Sequence, residues 1–381
     1  MSGDEERLVR CALSRAVEPG DPLVLSLVHR VGARETYEAL RRRGEVEPGL
    51  ATARADVATR LAHVDPVGEL DRAHRLGVRF VVPGDAEWPE RLADLDGVEP
   101  LQGRGGVPVG LWVRGPAPQA GRGRAVAVVG SRSATTYGAE LARDIAADLA
   151  RSGHAVVSGA AYGIDQAAHR GALAVGGTSV AVLAGGPDRV YPAAHRRLID
   201  LMVDSGAVIS ETPPGSAPTR MRFLARNRII AALTTGTVVV EAAVRSGALN
   251  TSNWADRLSR VVAGVPGPVN SGPSQGVHQL IRRGAALVTC GAEVLELLGA
   301  AGEHLFEAPR APAAPRDTLS PRQRQLLDAV PVSSGAQTDA IARAAGIGMV
   351  EAEGSLHRLG ARQFVLRRPD GWVLGPRAWR T

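Results

Sequence analysis

Ala125-Val126-Ala127-Val128-Val129-Gly130-Ser131-Arg132-Ser133, followed closely by Tyr137-Gly138, is the stretch on which the fold turns. Five apolar residues run without alternation and end at a glycine. A strand with one wet face alternates polar and apolar residues, so an unbroken run predicts a strand covered on both faces of a parallel sheet. Further runs follow at 154–158, 178–183, 207–210, 237–241 and 261–263, with amphipathic stretches at 138–151, 164–175 and 193–204 between them. Strand and helix in alternation predict an α/β fold, a doubly wound and mostly parallel sheet with right-handed crossovers. Ligands of such sheets bind beyond the carboxyl ends of the strands, so the residues just after each strand carry the functional reading.

Composition removes several classes of protein. The 381 residues are enough for two or three domains at ~150 residues each. A chain that is 44% hydrophobic and 22% charged is neither disordered nor a coiled coil. Aromatics are only 3%, so the core must be built from Ala, Val, Leu and Ile. All 45 basic side chains are arginine. Without lysine there is no Walker A phosphate loop and no lysine Schiff base. Cys11 and Cys290 are too few for a disulfide framework or a four-thiolate zinc site, and the nine histidines are scattered, so no metal or cofactor is expected. The N-terminus opens on Asp4, Glu5 and Glu6 rather than on a basic head, unlike a signal peptide. The longest apolar tract, 229–244, is broken by Thr234, Thr235, Gly236, Thr237 and Glu241 and is shorter than a membrane span. A soluble cytoplasmic protein without a membrane partner is expected.

Charge divides the chain. Residues 1–75 carry 12 Arg and 13 acids, residues 76–308 carry 22 and 20, and residues 309–381 carry 11 and 6. The last boundary is marked by Pro309, Pro312 and Pro315, which favour an extended tether over 309–317. Residues 1–75 read as a small helical domain, with apolar residues at helical spacing over 8–16, 23–29 and 34–43. Residues 27–33 are similar to a helix-hairpin-helix turn, which can hold a nucleic-acid phosphate. Plain helical packing is the favoured account there, because only one glycine is present and the region is slightly acidic.

Three strand-end loops stand out. Gly130-Ser131-Arg132 offers backbone amides and a forked cation to an anion, although a tight turn with a solvated arginine would look the same. Ser158-Gly159-Ala160-Ala161-Tyr162-Gly163-Ile164-Asp165 again brings backbone near a ligand through Gly159 and Gly163. Asp165 and His169 share a helix face, for which a structural role is favoured over a catalytic pair. The dinucleotide fingerprint is missing: the glycine spacing after the first strand is wrong, and the second strand ends in Ser158-Gly159 instead of an acid. The third loop is the most informative. No acid occurs between Glu211 and Glu241, and within that gap lie Arg220, Arg222, Phe223, Arg226, Asn227 and Arg228. Guanidiniums neutralise phosphates and a flat ring stacks on an unpaired base for ~1–3 kcal/mol, so the cluster suits single-stranded nucleic acid. A solvated face with Phe223 in the core is the alternative.

Taken in order, these motifs resemble the DprA (Smf) family. The likeness runs through Trp88-Pro-Glu-Arg-Leu92, Leu111-Trp-Val-Arg-Gly115, Val126-Ala-Val-Val-Gly-Ser-Arg132, Ser158 to Asp165 with Ala168-His169, Tyr191-Pro192, Ile209-Ser-Glu-Thr-Pro213 and Phe223-Leu-Ala-Arg-Asn-Arg-Ile-Ile-Ala231. It continues through Val238-Val-Val-Glu-Ala242, Ser246-Gly-Ala-Leu-Asn-Thr251 and Val265-Pro-Gly267, covering roughly residues 75–300. The resemblance implies an extended Rossmann-like fold over 76–308. It also implies a non-enzymatic protein that binds and protects incoming single-stranded DNA, helps load the RecA recombinase, and forms a homodimer. Arg132 matches the family's DNA-contacting glycine-serine-arginine loop, and Phe223 its stacking phenylalanine. Arg226-Asn227-Arg228 matches its arginine-asparagine-arginine triplet, and Arg220 or Arg222 fills its basic lead-in. His278, Leu280 and Ile281 suit the expected subunit contact, with packing on the sheet as the alternative.

Residues 318–381 read as a winged helix: helices at 319–329, 338–345 and 350–359, then a hairpin over 364–374 about Pro369-Asp370-Gly371. Glu351 and Glu353 on the recognition helix argue against groove reading, so backbone contact through Arg367 and Arg368, or a protein partner, is expected. The competing function is a Rossmann-like enzyme that splits nucleoside monophosphates. Its signature of a glycine pair, then glycine-threonine with a glutamate three residues on, is not met: Thr234-Thr235 replace the glycines and Glu241 falls four after Thr237. A transcriptional regulator acting through the winged helix is a weaker third reading.

Overall fold

A run of five small apolar residues has no side to offer to water, and in the computed structural model Ala125–Val129 lies in the middle of a nine-stranded sheet, buried throughout. The structure describes residues 3–41, 51–116, 124–300, 302–304 and 314–379, in two compact units, Met1–Phe306 and Glu307–Thr381. The first begins with helices α1 (Gly3–Ala16), α2 (Pro22–Val31), α3 (Ala33–Arg41), α4 (Ala51–Leu61) and α5 (Pro66–Arg75). Strands β1 (Val78–Val81) and β2 (Leu111–Arg114) follow. The alternating part comprises β3 (Ala125–Val129), α6 (Thr136–Arg151), β4 (Ala155–Ser158), α7 (Ile164–Ala174), β5 (Ser179–Leu183), α8 (Arg196–Ser205) and β6 (Ala207–Ser210). It continues through α9 (Arg220–Ala232), β7 (Gly236–Val239), α10 (Gly247–Arg257), β8 (Val261–Gly264), α11 (Gly272–Arg282), β9 (Ala286–Leu287) and α12 (Gly291–Leu298).

The strand order is β1-β2-β6-β5-β4-β3-β7-β8-β9, parallel from β6 to β9 and antiparallel at β1/β2 and β2/β6. Strand alternation splits the core. Val126 and Val128 face α6, α7 and α12 with Ile145 and Leu149, whereas Ala127 and Val129 face α9, α10 and α11 with Ile229, Trp254 and Val277. From β3 the chain winds outward through β4, β5 and β6, then returns to place β7 on the other side of β3. Connections from β3 and β7 therefore leave in opposite directions, and the crevice of a doubly wound sheet opens above their carboxyl ends. This Rossmann-like α/β architecture is the one the apolar runs predict; the two antiparallel edge strands are the addition.

The early helices are fastened to that antiparallel edge. Arg7 donates to both carboxylate oxygens of Asp85, each at 2.8 Å, and to Phe80 O at 2.7 Å. The buried Trp112 indole donates to Ser14 Oγ at 2.9 Å and packs on Phe80, ring centroids 4.4 Å apart. Asp21 caps α2, and Gly32, with φ 94°, separates α2 from α3. The end of the expected helix at 34–43 lies outside the described residues, as do residues 309–313 of the expected linker. Among the described residues, no helix is long and apolar enough to cross a membrane.

The second unit has its own core. Helices α13 (Pro321–Asp328), α14 (Thr338–Ala345) and α15 (Met349–Ala361) enclose Leu326, Ile341, Leu356, Phe364 and Trp372 with the hairpin β10 (Val365–Arg368) and β11 (Gly371–Leu374). Gly346 ends α14 in the left-handed conformation, φ 64°, which a glycine adopts without strain. This is the expected winged helix. Glu351 and Glu353 are exposed on α15, and Arg367 and Arg368 are exposed on the wing.

His169 on α7 is wholly buried, its Nδ1 2.7 Å from Ser179 Oγ and its Nε2 without a partner. Among the described residues no hydrogen bond joins it to Asp165, which accepts instead from Gly159 N and Ala161 N. Burial, reinforced by the charges of His195 and Arg226, pulls the His169 pKa down from 6.5 to about 3. The folded chain thus keeps it neutral where the unfolded chain protonates it. This contribution is intact above the unfolded value and is lost as pH falls through the window from 6.5 toward 3. The slope expected is ~1.4 kcal/mol per pH unit for one proton. Urea unfolding measured across that window should show an acid limb that flattens in His169→Phe; an identical limb in the variant would show that other groups set it.

Candidate nucleic-acid interface

Helix α9 carries the acid-free cluster and begins where Thr219 Oγ1 accepts from Arg222 N at 3.3 Å. Its last two turns bury Ile229, Ile230 and Ala231 against the sheet. The same burial takes in Arg226, Asn227 and Arg228, and buried polar groups require partners. Arg228 is fully buried. It donates to Glu211 Oε2 and Oε1 at 2.7 Å each, to Ala225 O at 2.7 Å and to Gly106 O at 2.9 Å. The expectation that Arg228 meets DNA is corrected: its guanidinium is spent inside the protein. Arg222 is also engaged, its Nε and Nη2 3.0 and 2.8 Å from the two oxygens of Glu18. Arg220 is exposed, with no hydrogen bond or ion pair among the described residues.

The β4–α7 loop makes room for Arg226. Asp165 Oδ2 accepts from Gly159 N at 3.2 Å and Ala161 N at 3.3 Å, which draws the loop inward. A Cβ on Gly159 would overlap the Arg226 guanidinium, so this glycine supplies volume to the arginine. Arg226 donates to Val182 O at 2.6 Å and Asn227 Oδ1 at 3.1 Å. Burial pulls Arg226 down to about 10, with Asp165 opposing and Arg132 assisting. Burial raises Asp165, with Arg226 opposing. Above this buried base lies Phe223, half-buried and lining the crevice. Arg132 stands 4.6 Å from the ring centroid and Arg226 5.7 Å. Tyr191, 54% exposed, has its ring 6.0 Å from that of Phe223 at 58°.

Gly130 and Ser131 form the floor. Ser131 N donates to Glu241 O at 2.6 Å, and Ile164 N donates to Ser131 O at 3.1 Å. Gly163, φ 75°, permits that second approach, because a Cβ there would strike Ser131 O. Gly159 and Gly163 therefore stand behind the crevice and shape it, while Gly130, Ser131 and Arg132 line it. The opposite wall is the loop after β7 and the face of α11. Asn227 Nδ2 ties α10, which follows that loop, to α9 through Gly247 O at 3.3 Å and Asn250 Oδ1 at 3.2 Å. Together the walls enclose an open groove of about 1520 Å³. Five arginines line it, Arg132, Arg220, Arg226, Arg245 and Arg283, against one carboxylate, the buried Asp165. Among the described residues no cluster of His, Cys, Asp and Glu could hold a metal ion.

Among the lining residues, Tyr191, Arg245 and Arg283 were not assigned to the site from sequence. Tyr191 belongs to the Tyr191-Pro192 pair, and an aromatic beside a proline in so aromatic-poor a chain was the available signal. Of the residues expected at a subunit contact, Leu280 is buried while His278 and Ile281 are half-buried. Leu280 is buried in the core, Ile281 packs against it, and His278 Nε2 lies 3.0 Å from Gly267 O.

The fold and site define a Rossmann-like protein with a cationic groove at its switch point. Residues 79–299 match the family model of DNA recombination-mediator protein A, and the chain belongs to that family. It is 44% identical over 345 residues to a Mycobacterium tuberculosis DNA processing protein DprA, covering 88% of this chain and 86% of that one. To the Escherichia coli protein Smf it is 40% identical over 232 residues, covering 60% and 59%. The X-ray structure of Streptococcus pneumoniae DNA processing protein A superimposes with a TM-score of 0.61 at 30% identity, covering 78% of this chain and 97% of that one. That of the Helicobacter pylori protein gives 0.50 at 24% identity, covering 57% and 95%.

The Arg228–Glu211 pair yields a stability prediction. Glu211→Ala strands a buried guanidinium and should cost ~3–5 kcal/mol, whereas Glu211→Leu with Arg228→Met removes both charges and should recover much of it. Urea denaturation of the two proteins makes the comparison. A double variant as unstable as the single one would show that the charges are not what the site needs.

Proposed function

We propose that the protein binds single-stranded DNA in the groove above β3 and β7, protects it and helps load a RecA-type recombinase onto it, without chemistry of its own. The observation that carries the reading is a half-buried phenylalanine and an exposed tyrosine lining one groove with guanidiniums that have no carboxylate partner. Arg132, Arg220, Arg245 and Arg283 make no ion pair among the described residues, and the lining they share holds one carboxylate, the buried Asp165. A concave surface with this much uncompensated charge favours a polyanion. Its volume exceeds that of an ordinary small-molecule site, ~300–1,000 Å³. The related Helicobacter pylori protein is described with a single-stranded-DNA binding mode of its own. Recombinase loading and pairing with a second copy of the chain belong to the same proposal and rest on family membership.

The geometry also supplies a sequence of events. An exposed cation–π contact is worth ~0.5–1 kcal/mol, and a base stacked on an aromatic ring ~1–3 kcal/mol. A base can therefore displace Arg132 from the face of Phe223, and the freed guanidinium can turn to the adjoining phosphate. Against nucleotide hydrolysis stands Glu241, the carboxylate nearest to that enzyme signature. It is 2% exposed and accepts from Thr135 N at 2.9 Å and Thr135 Oγ1 at 2.5 Å, so it is not free to act as a base.

Fluorescence anisotropy with labelled oligothymidylate tests the assignment. Arg132→Ala with Phe223→Ala should weaken binding about 10- to 100-fold, through removal of one stacked base and one neutralised phosphate. Single strand should be preferred over duplex, and affinity should fall linearly with salt on logarithmic axes. Unchanged affinity in the double variant would remove the groove from consideration, and release of adenine from AMP by the purified protein would revive the enzymatic reading.

A further inference from the structure

Phe223 and Tyr191 occupy one wall of the groove, and the opposite wall is built differently. Arg245, on the loop after β7, and Arg283, just past the end of α11, both face the groove and are exposed. Neither has a side-chain hydrogen bond or ion pair among the described residues. Outside the groove, Arg257 donates to Glu99 O at 2.6 Å and Arg260 is paired with Asp94. Asn253 and Gln279 lie on the same wall, and no aromatic residue does.

This wall is held as a unit. Gly276 N donates to Ala242 O at 2.8 Å, and Ala242 N donates to Pro273 O at 2.7 Å. A Cβ on Gly276 would collide with the carbonyls of Ala242 and Ala243, so α11 can seat directly against the loop only because glycine stands there. On the other side, Asn227 binds Gly247 O and Asn250 on α10, which sets that helix, and the end of the loop that leads into it, relative to α9. Arg245 and Arg283 are thus carried at a fixed separation across from the aromatic wall. Without a ring, this half cannot stack a base; with two free guanidiniums and two amides, it can hold phosphate and sugar.

We propose that Arg245 and Arg283 form a second, sequence-independent subsite for the sugar–phosphate backbone. A single strand that stacks its bases on Phe223 and Tyr191 continues across the groove, with its phosphates on this wall. The proposal rests on the single-strand reading of the groove and extends it to the length of strand bound. Bases would be read, weakly, on one wall only.

The test uses the full chain and oligothymidylates of about 5 and about 20 nucleotides, which bracket ordinary single-strand site sizes. Arg245→Ala with Arg283→Ala should bind the long strand about 10-fold or more weakly and the short one within about 2-fold of the parent. The slope of log affinity against log salt on the long strand should fall by about 1.4, at ~0.7 for each phosphate left without its arginine. Both side chains are exposed, and an unchanged melting curve verifies that the variant is folded. Equal losses on the two lengths, or an unchanged long-strand affinity and slope, would overturn the proposal. Failure of the underlying reading has a different signature, in which Arg132→Ala with Phe223→Ala leaves both lengths bound as tightly as before.

Discussion

A helix that turns arginine, asparagine and arginine inward must find acceptors for their N–H groups, and much of the first unit is arranged around that demand. Arg228 is met by Glu211 at the end of β6 and by the carbonyls of Gly106 and Ala225. Glu211 in turn accepts from Gly20 N at 3.3 Å, so the turn between α1 and α2 joins the same network. Arg226 is met by Val182 O and by the field of Asp165, and Asn227 by Gly247 O and Asn250 Oδ1 on α10. The three residues reach toward β6, β5 and α10, which fixes α9 in both tilt and rotation. Phe223 and Arg220 lie one turn earlier on the exposed part of that helix, and their placement in the groove follows from the anchoring behind them.

A second constraint acts at the helix terminus where sheets of this architecture can seat an anion. The N-terminus of the helix after the first parallel strand is a ready anion site. At α6 that position is filled by the protein's own carboxylate: Glu241 binds Thr135, and Gly138 leaves it space, since a Cβ there would run into the carboxylate. Attraction for external anions therefore comes from side chains spread over the groove instead of from one focused phosphate cradle. Charge distributed in this way suits a chain of phosphates better than a single one.

The parallel core was legible in the sequence because burial on both faces leaves a residue-level trace, the unbroken apolar run. Strands β3 to β8 and helices α6, α7 and α8 lie close to the positions read from such runs and from helical spacing. β9 was not legible because two residues, Ala286 and Leu287, carry no pattern. At the site, sequence could gather Arg132, Phe223 and Arg226 through order and charge, but it could not tell which arginines face inward. Arg226 and Arg228 sit two residues apart in one acid-free segment, and only their partners distinguish them. Those partners, Asp165 and Glu211, are distant in sequence. Arg245 and Arg283 were missed for the converse reason: each is an ordinary arginine until the fold brings both to one wall.

The early helices enter the same logic. Glu18, between α1 and α2, clasps Arg222, whose hydrogen bond holds the Glu18 carboxyl below the usual carboxylate range. A half-exposed pair of this kind contributes ~0–1 kcal/mol to stability. Its consequence is orientational. Successive helical residues are rotated by about 100°, so fixing the direction of Arg222 fixes the direction in which Phe223 leaves the helix. It also cancels the charge of Arg222, so the potential in the groove is set by Arg132, Arg220, Arg245 and Arg283. A helical region that contributes no residue to the groove lining thereby determines both the aim of the aromatic ring and the distribution of charge around it.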